Sequence, residues 1–217
     1  MTNLITIQDP RSSAADAYRT LRTNLMFSNL DTPLRTLGVT SAAKEDQKGI
    51  AAANLAVTFA QAERKVLLIE ADLRRPVVHT FWNLDNSKGL TSTLLDEAQQ
   101  DEFPIFGTNV EGLRVLCSGP LPANPVDVLA SSRLDKVVQQ LMNQFDVLIF
   151  HMPPVLVGAD TLVLGQKLDG VLLVAQAHQT RRDHLSRAKT QLERIHIRLL
   201  GAVLLDAPPD RTSLAYR

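Results

Sequence analysis

Short runs of consecutive apolar residues recur along the chain, and helical patterns separate several of them. The runs lie at 35–41, 65–71, 113–118, 146–152, 170–177 and 199–205. Because they are rich in Val, Ile and Leu and do not alternate with polar residues, they predict strands covered on both faces, as in a parallel sheet. The intervening patterns, such as AAANLAVTFAQA after the first run, are helical. This alternation predicts a doubly wound α/β fold that binds ligands beyond the carboxyl ends of its strands.

A further helical pattern, at residues 12–30, precedes the first strand. Its opening serines are suited to an N-cap. Asp16, Arg19 and Arg22 follow one another at intervals of three and therefore form one charged stripe. One interpretation of this stripe is a solvated face with i,i+3 pairing. With 217 residues, of which 45% are hydrophobic, we expect a single domain over residues 1–217.

Composition and charge narrow the classes of function. Lys and Arg together number 23, as do Asp and Glu, so the formal net charge is zero, which argues against a nucleic-acid binder. The single cysteine, Cys117, excludes an internal disulfide and is expected to be a small buried hydrophobe. The sequence has neither a long apolar span nor the layout of a secretion signal. We therefore expect a cytoplasmic protein that reaches the inner face of the membrane only through a partner.

The segment VTSAAKEDQKGI, at 39–50, has the order strand, loop, lysine, helix that is typical of a phosphate-binding loop. Such a loop needs glycines so that main-chain N–H groups can converge on phosphates. Glu45, Asp46 and Gln47 stand in this loop instead. Lys48 occupies the position from which a lysine reaches an anion, and an ordinary surface lysine is the alternative interpretation.

Longer motifs identify a resemblance that covers nearly the whole chain. The most specific is ADLRRP followed by SGPLPANPVDVLASSR, and FDVLIFHMPP and DGVLLVAQA add to it. With these motifs the chain resembles the cytoplasmic domain of the bacterial tyrosine kinases. These are relatives of MinD and ParA that accompany polysaccharide co-polymerases in capsule and exopolysaccharide export. The resemblance implies a P-loop NTPase-like fold and, for an intact site, an ATP-dependent protein-tyrosine kinase.

The residues that correspond to the family's magnesium ligands differ from the family pattern. The family's loop resembles S-A-x-P-G-E-G-K-S-T, and Gly49 stands where the hydroxyl after the lysine would bind Mg²⁺. His151 replaces the acid of D-T-P-P, while Glu70 and Asp72 correspond to the two acids of L-I-D-A-D. Because Mg²⁺ prefers oxygen ligands, this set is poorly suited to it. The family-equivalent catalytic positions are therefore Lys48, Glu70, Asp72 and His151, without a predicted metal site.

The nucleotide-binding positions implied by the resemblance are Lys48, Gly49 and Asp206. The family commonly has an asparagine that reads adenine where this chain has Asp206, and an ionised carboxylate offers acceptors only. We therefore expect no bound cofactor. If the site is functional after all, its cofactors would be ATP and Mg²⁺. The tail of the chain has one tyrosine, Tyr216, in place of the family's tyrosine cluster.

Three further sets of side chains have two interpretations each. His151 with Glu70 and Asp72 suits either a transition-metal site or a neutral histidine that ends a buried strand. Asp160 either corresponds to the aspartate that follows P-P-V in the family or is only a helix N-cap, which is the interpretation we expect. Arg74 and Arg75 either bind anions or line a subunit boundary, or else are solvated loop ends.

We predict that the chain is a degenerate member of this family, a pseudokinase that acts as a non-catalytic binding or regulatory partner in exopolysaccharide or capsule biosynthesis and export. Its partner would be a membrane co-polymerase or an active kinase paralogue, and it would not insert into the membrane directly. The family's E-x-x-R-x-x-R pattern implies that Asp16, Arg19 and Arg22 contact a neighbouring subunit in a homo-oligomer. Two alternatives are an active tyrosine kinase with an irregular site and a positioning ATPase of the ParA or MinD kind.

Overall fold

The structure is a computed structural model that describes residues 4–28, 33–44, 47–96 and 103–208. The strands in these ranges are β1 Thr36–Ser41, β2 Val66–Glu70, β3 Ile105–Gly107, β4 Leu113–Leu116, β5 Val147–His151, β6 Gly170–Gln176 and β7 Leu199–Leu205. The helices are α1 Ile5–Gln8, α2 Ser13–Met26, α3 Lys48–Ala60, α4 Val78–Phe81, α5 Leu90–Leu95, α6 Pro125–Ala130, α7 Ser132–Met142, α8 Asp160–Gly165 and α9 Arg182–Arg194.

The strands form a single seven-stranded sheet in the order β3-β4-β2-β5-β1-β6-β7. All neighbouring strands are parallel except β3, which is antiparallel to β4. Every residue of β1, β2, β5 and β6 is buried, as their largely apolar, non-alternating runs predict. The predicted doubly wound, mostly parallel α/β fold is therefore confirmed.

Two apolar layers cover the sheet. One layer contains residues of α1, α2 and α3, and the other contains residues of α5 to α9. In α3, Ile50 is the only residue that is not buried. The alanines of α3 have small side chains, and this lets the helix lie close to β1, β2 and β5. The close packing brings the start of α3 to the carboxyl ends of these three central strands.

Several short elements were not predicted. β3 has three residues, and α1, α4, α5 and α6 have four to six, so none is long enough to show a period in the sequence. The predicted helix at 12–30 is shorter than expected, because α2 ends at Met26 with Phe27 as its C-cap. Ser12 is its N-cap, as expected, and its hydroxyl accepts from the Ala15 N–H. Within the described ranges, no helix has the length and apolarity needed to cross a membrane.

Candidate functional site

The predicted site residues converge at the carboxyl edge of the sheet. Glu70 ends β2 and His151 ends β5, and the register of these parallel strands places the two residues side by side. Asp72 follows two residues after Glu70, and Lys48 begins α3. All four side chains are buried, and Lys48 is only 8% exposed. The interpretation of Lys48 as an ordinary surface lysine is therefore wrong.

Lys48 is held between two partners of different charge. Its Nζ lies 2.9 Å from Asp72 Oδ2 and 2.9 Å from His151 Nε2. His151 Nδ1 lies 2.7 Å from Glu70 Oε1. Because an ammonium only donates and a carboxylate only accepts, these partners assign His151 the neutral tautomer with its proton on Nδ1. A neutral imidazole thus links the lysine ammonium to a second carboxylate. We call these four hydrogen-bonded side chains, Asp72, Lys48, His151 and Glu70, the Lys48 relay.

Glu70 is the most heavily used acceptor of the Lys48 relay. Its Oε1 accepts from the Asp72 main-chain N–H at 2.9 Å as well as from His151. Its Oε2 accepts from the N–H groups of Val77 and Val78, at 2.7 and 3.0 Å. Each carboxylate oxygen therefore receives two donors, and the side chain is fully buried. This carboxylate fixes the segment that leads from β2 into α4.

Asp72 and Asp160 fix the same segment from the other side. Asp72 Oδ1 accepts from the N–H groups of Arg74 and Arg75, at 3.3 and 3.0 Å. Arg74 Nε lies 3.1 and 3.2 Å from the two oxygens of Asp160, which is 1% exposed. Asp160 is the first residue of α8, whose N-cap is Ala159. The prediction that Asp160 is an N-cap is therefore wrong, because its carboxylate pairs with an arginine instead.

Gly49 leaves no room for a side chain in this conformation. A Cβ at this position would lie 2.9 Å from Val77 Cγ2, 3.3 Å from Phe81 Cζ and 3.5 Å from His151 Nε2. Val77 and Phe81 therefore pack over the place where a side chain at position 49 would begin. Neither residue was predicted to belong to the site, and their contact with Gly49 has no signal in the sequence.

A cavity of about 570 Å³ opens at this edge of the sheet. Lys48, Gly49, Asp72 and His151 line it, as do the two arginines of the ADLRRP motif. The described residues contain no group of three or more His, Cys, Asp or Glu side chains arranged to hold a metal ion. The hypothesis of a transition-metal site at His151, Glu70 and Asp72 is therefore not supported. His151 instead ends a buried strand as a neutral ring.

Asp206 lies after β7 and does not line this cavity. Its Oδ2 accepts from Gln176 Nε2 at 2.7 Å, and its backbone has a positive φ of 54°, which aspartate tolerates better than most residues. The structure therefore does not bring Asp206 together with Lys48 and Gly49. Three other residues named from the sequence, Glu45, Asp46 and Tyr216, lie outside the described residues.

The charged stripe on α2 makes contacts within the chain. Arg19 pairs with Asp16 at 2.6 Å and also donates to the Pro10 carbonyl. Arg22 reaches across to α3, where it donates to the Thr58 carbonyl at 2.8 Å. Thr58 is in the last turn of α3, where carbonyls lack partners within the helix, so Arg22 supplies one. This role of Arg22 was not predicted from its spacing.

Comparisons with known proteins define the class and then the family. No protein-family model matches the chain. The Pyrococcus furiosus cell division ATPase MinD superposes with a TM-score of 0.66 at 23% identity, covering 78% of this chain and 71% of MinD, which shows a shared fold alone. The chimerical protein CapA2B2 superposes with a TM-score of 0.89 at 33% identity, covering 95% of this chain and 90% of the other. The fold is thus that of the MinD-like P-loop proteins.

A curated relative defines the family. The tyrosine-protein kinase YwqD of Bacillus subtilis (strain 168) is 40% identical over 202 residues, which cover 93% of this chain and 85% of YwqD. The chain belongs to the bacterial tyrosine-protein kinase family.

Proposed function

We propose that this chain is a non-catalytic member of its family, which acts by binding another component of a polysaccharide-export system. The proposed partner is a membrane co-polymerase or an active kinase paralogue. The polysaccharide setting rests on the resemblance of the ADLRRP and SGPLPANPVDVLASSR motifs to that branch of the family.

The Lys48 relay is the observation that carries this proposal. A lysine that cradles a phosphate needs its ammonium directed at the ligand, but Lys48 already donates to Asp72 and to His151. To reach a phosphate, Lys48 would have to leave a buried carboxylate without its cation. Removing one partner of a buried ion pair typically costs about 3–5 kcal/mol. The relay is thus a stable alternative to a bound nucleotide.

The surroundings of Gly49 support the same proposal. A hydroxyl ligand for Mg²⁺ at position 49 would need a Cβ, and Val77 Cγ2 lies only 2.9 Å from that point. His151 presents ring nitrogens where Mg²⁺ favours oxygen, and the Glu70 oxygens are occupied by four N–H donors. We infer that the residues present do not fit MgATP.

An active ATP-dependent tyrosine kinase is the second candidate. It is favoured by the 40% identity to YwqD, which is named as a tyrosine-protein kinase. It is also favoured by the cavity, which Lys48 and Asp72 line. For this candidate, ligand binding would have to separate Lys48 from His151.

Binding of a fluorescent ATP analogue, with and without Mg²⁺, distinguishes these candidates. We expect no saturable binding in the micromolar range in either condition. Lys48→Met is the matched variant, because it removes the ammonium while keeping most of the side-chain volume. If the protein is non-catalytic, neither the wild type nor Lys48→Met should show saturable binding of the analogue. Micromolar, Mg²⁺-dependent binding that Lys48→Met abolishes would show an active site and refute the proposal.

We also propose that the α2 stripe contacts a neighbouring subunit in a homo-oligomer. Arg19 is the residue to test, because Arg22 holds the Thr58 carbonyl and its replacement would disturb the packing of α2 on α3. We expect Arg19→Glu to lower the mass measured by light scattering towards the 23.9 kDa of one chain. Lys136→Glu, which makes the same charge change at an exposed position of α7, should leave the mass unchanged. Equal masses for wild type and both variants would contradict this subunit contact.

A further inference from the structure

The charge of the chain is unevenly distributed, although its formal net charge is zero. Residues 181–194, which span α9 and its N-cap, contain five cations and two acids and therefore have a net charge of +3. The rest of the chain, with every residue counted, has a net charge of −3. The five cations are all exposed, and we call them the α9 basic face: Arg181, Arg182, Arg187, Lys189 and Arg194.

Only two cations of the α9 basic face lie beside a carboxylate. Arg181 pairs with Asp183 at 3.0 Å, and Lys189 lies 3.6 Å from Glu193. The other three have no carboxylate partner within the described ranges, and they are Arg182, Arg187 and Arg194. Residues 209–217, outside those ranges, contain one acid and two arginines, so their charges cannot balance this excess. The positive charge is therefore available to a partner.

The cations of the α9 basic face form two rows along the helix. Arg187 and Arg194 are seven residues apart, which is close to two helical turns, so they lie on the same side of α9. Arg182 and Lys189 have the same spacing and form the second row. Both rows lie away from the stripe of α9 that packs on the sheet. Since α9 has 13 residues, the rows extend over about 20 Å, which suits an extended anionic surface better than one small anion.

An exposed apolar side chain lies on the same side of the sheet as α9. β7 is the edge strand of the sheet, and its residues Val203 and Leu205 pack on the layer that contains α1 to α3. Because side chains alternate along a strand, Leu204 points to the opposite side, where α9 packs. Leu204 is 58% exposed. Surfaces that bind at a membrane interface combine Lys and Arg with apolar side chains such as Leu.

Nucleic acid is the other common ligand of a basic helix. Proteins that bind single strands usually hold them with aromatic side chains, on which the bases stack. Residues 177–208, which include α9 and β7, contain no Phe, Tyr or Trp. The exposed leucine also has no use on a phosphate backbone. These features favour a lipid surface over a nucleic acid.

We propose that the α9 basic face binds the surface of a membrane that contains anionic phospholipids. Its guanidinium and ammonium groups lie against the phosphates of the head groups, and Leu204 contacts the apolar region next to them. Anionic head groups attract each Lys or Arg that lies within about one Debye length of the surface. This inference goes beyond the proposed function, and no residue of α9 lines the cavity beside the Lys48 relay. A membrane co-polymerase would bring the chain close to the bilayer, and α9 would then orient it there.

Sedimentation of the full chain with lipid vesicles tests this contact. The anionic vesicles contain phosphatidylglycerol and phosphatidylcholine in equal parts, and vesicles of phosphatidylcholine alone are the neutral reference. At low ionic strength we expect binding to the anionic vesicles only. This binding should be lost in about 1 M NaCl, where the Debye length is roughly 3 Å. Arg187→Gln combined with Arg194→Gln should lower the partition coefficient by roughly 25-fold, which is about fivefold for each cation.

Arg64→Gln combined with Lys136→Gln is the matched control. It also removes two exposed cations, but neither of them is on α9. We expect the control to bind the anionic vesicles as the wild type does. Because all four replaced side chains are exposed, both double variants should keep the urea unfolding curve of the wild type.

The outcomes separate this inference from the proposed function. Equal loss of binding in the two double variants, equal binding to neutral vesicles, or no binding to anionic vesicles would each overturn the membrane contact. Binding to duplex DNA at the same salt concentration, without binding to anionic vesicles, would also overturn it and assign the α9 basic face to nucleic acid. Leu204→Ser should weaken vesicle binding further, and an unchanged partition coefficient would exclude Leu204 from the contact. None of these results bears on the non-catalytic proposal, which fails only if MgATP binds tightly.

Discussion

Replacing Glu70 with glutamine is expected to lower the free energy of unfolding by about 3–5 kcal/mol, as removing one charge from a buried ionic network typically does. Each oxygen of this buried carboxylate accepts two N–H donors. A glutamine NH₂ group in either position would face two donors and accept from neither, so no rotation of the amide satisfies the site. The measurement is urea unfolding followed by circular dichroism, with the slope checked for two-state behaviour.

Asp135→Asn is the control for this substitution. Asp135 pairs with Lys167 at 2.6 Å, but its side chain is 51% exposed, and exposed ion pairs contribute roughly 0–1 kcal/mol. Both variants remove one carboxylate charge. The difference between their free energies of unfolding therefore isolates the effect of burial and of the four N–H donors to Glu70. If Glu70→Gln cost no more than Asp135→Asn, the Lys48 relay would not hold the start of α4 as described.

The sequence predicts the central part of the sheet well, because fully buried parallel strands leave a direct signal. β2, β5 and β6 are apolar at nearly every position, β1 mixes apolar residues with small hydroxyl residues, and each of the four lies within its predicted run. β3, by contrast, has only three residues and lies at the edge of the sheet, where none of them is buried. It therefore has no apolar run that would predict a strand. The end of α2 at Met26 was missed for a related reason. The apolar period continues past the last helical turn, so it does not mark the helix end.

The members of the site were predictable, but their pairing was not. Parallel strands bring their carboxyl ends to one edge, and this rule alone places Glu70, Asp72 and His151 near the start of α3. The hydrogen bonds between them join residues up to 103 positions apart, from Lys48 to His151. The protonation of a histidine between a lysine and a glutamate depends on which ring nitrogen lies next to which partner. Only the three-dimensional structure supplies that information.

The crowding at Gly49 is a second property that no linear pattern contains. In the sequence, Gly49 reads as the loss of a hydroxyl. In the structure, Val77 and Phe81 pack over the point where a Cβ of residue 49 would lie. Restoring the hydroxyl alone would place a side chain against Val77.

Alkaline pH is expected to destabilise the protein through two buried groups. Burial, followed by the charges of Glu70 and Asp85, raises the pKa of Cys117 from 9.0 to about 12. Burial is also the main reason that the pKa of Tyr18 rises from 10.0 to about 12, with a smaller contribution from Asp206 and an opposing one from Asn54. Between these values the unfolded chain has lost a proton that the folded chain retains. Stability is therefore fully present below pH 9 and falls as the pH rises to about 12.

The expected total loss is on the order of a few kcal/mol, with the larger part from Cys117, because its pKa rises further above its usual value. Urea unfolding at intervals from pH 8 to 12 measures the total, to which lysine deprotonation also contributes. Cys117→Ala should remove the part that begins near pH 9, and Tyr18→Phe the part that begins near pH 10, so each variant has a shallower curve than wild type. Each substitution also lowers stability at neutral pH, but that offset does not change with pH. Curves that stay parallel to wild type over this range would mean that neither group is kept protonated by folding.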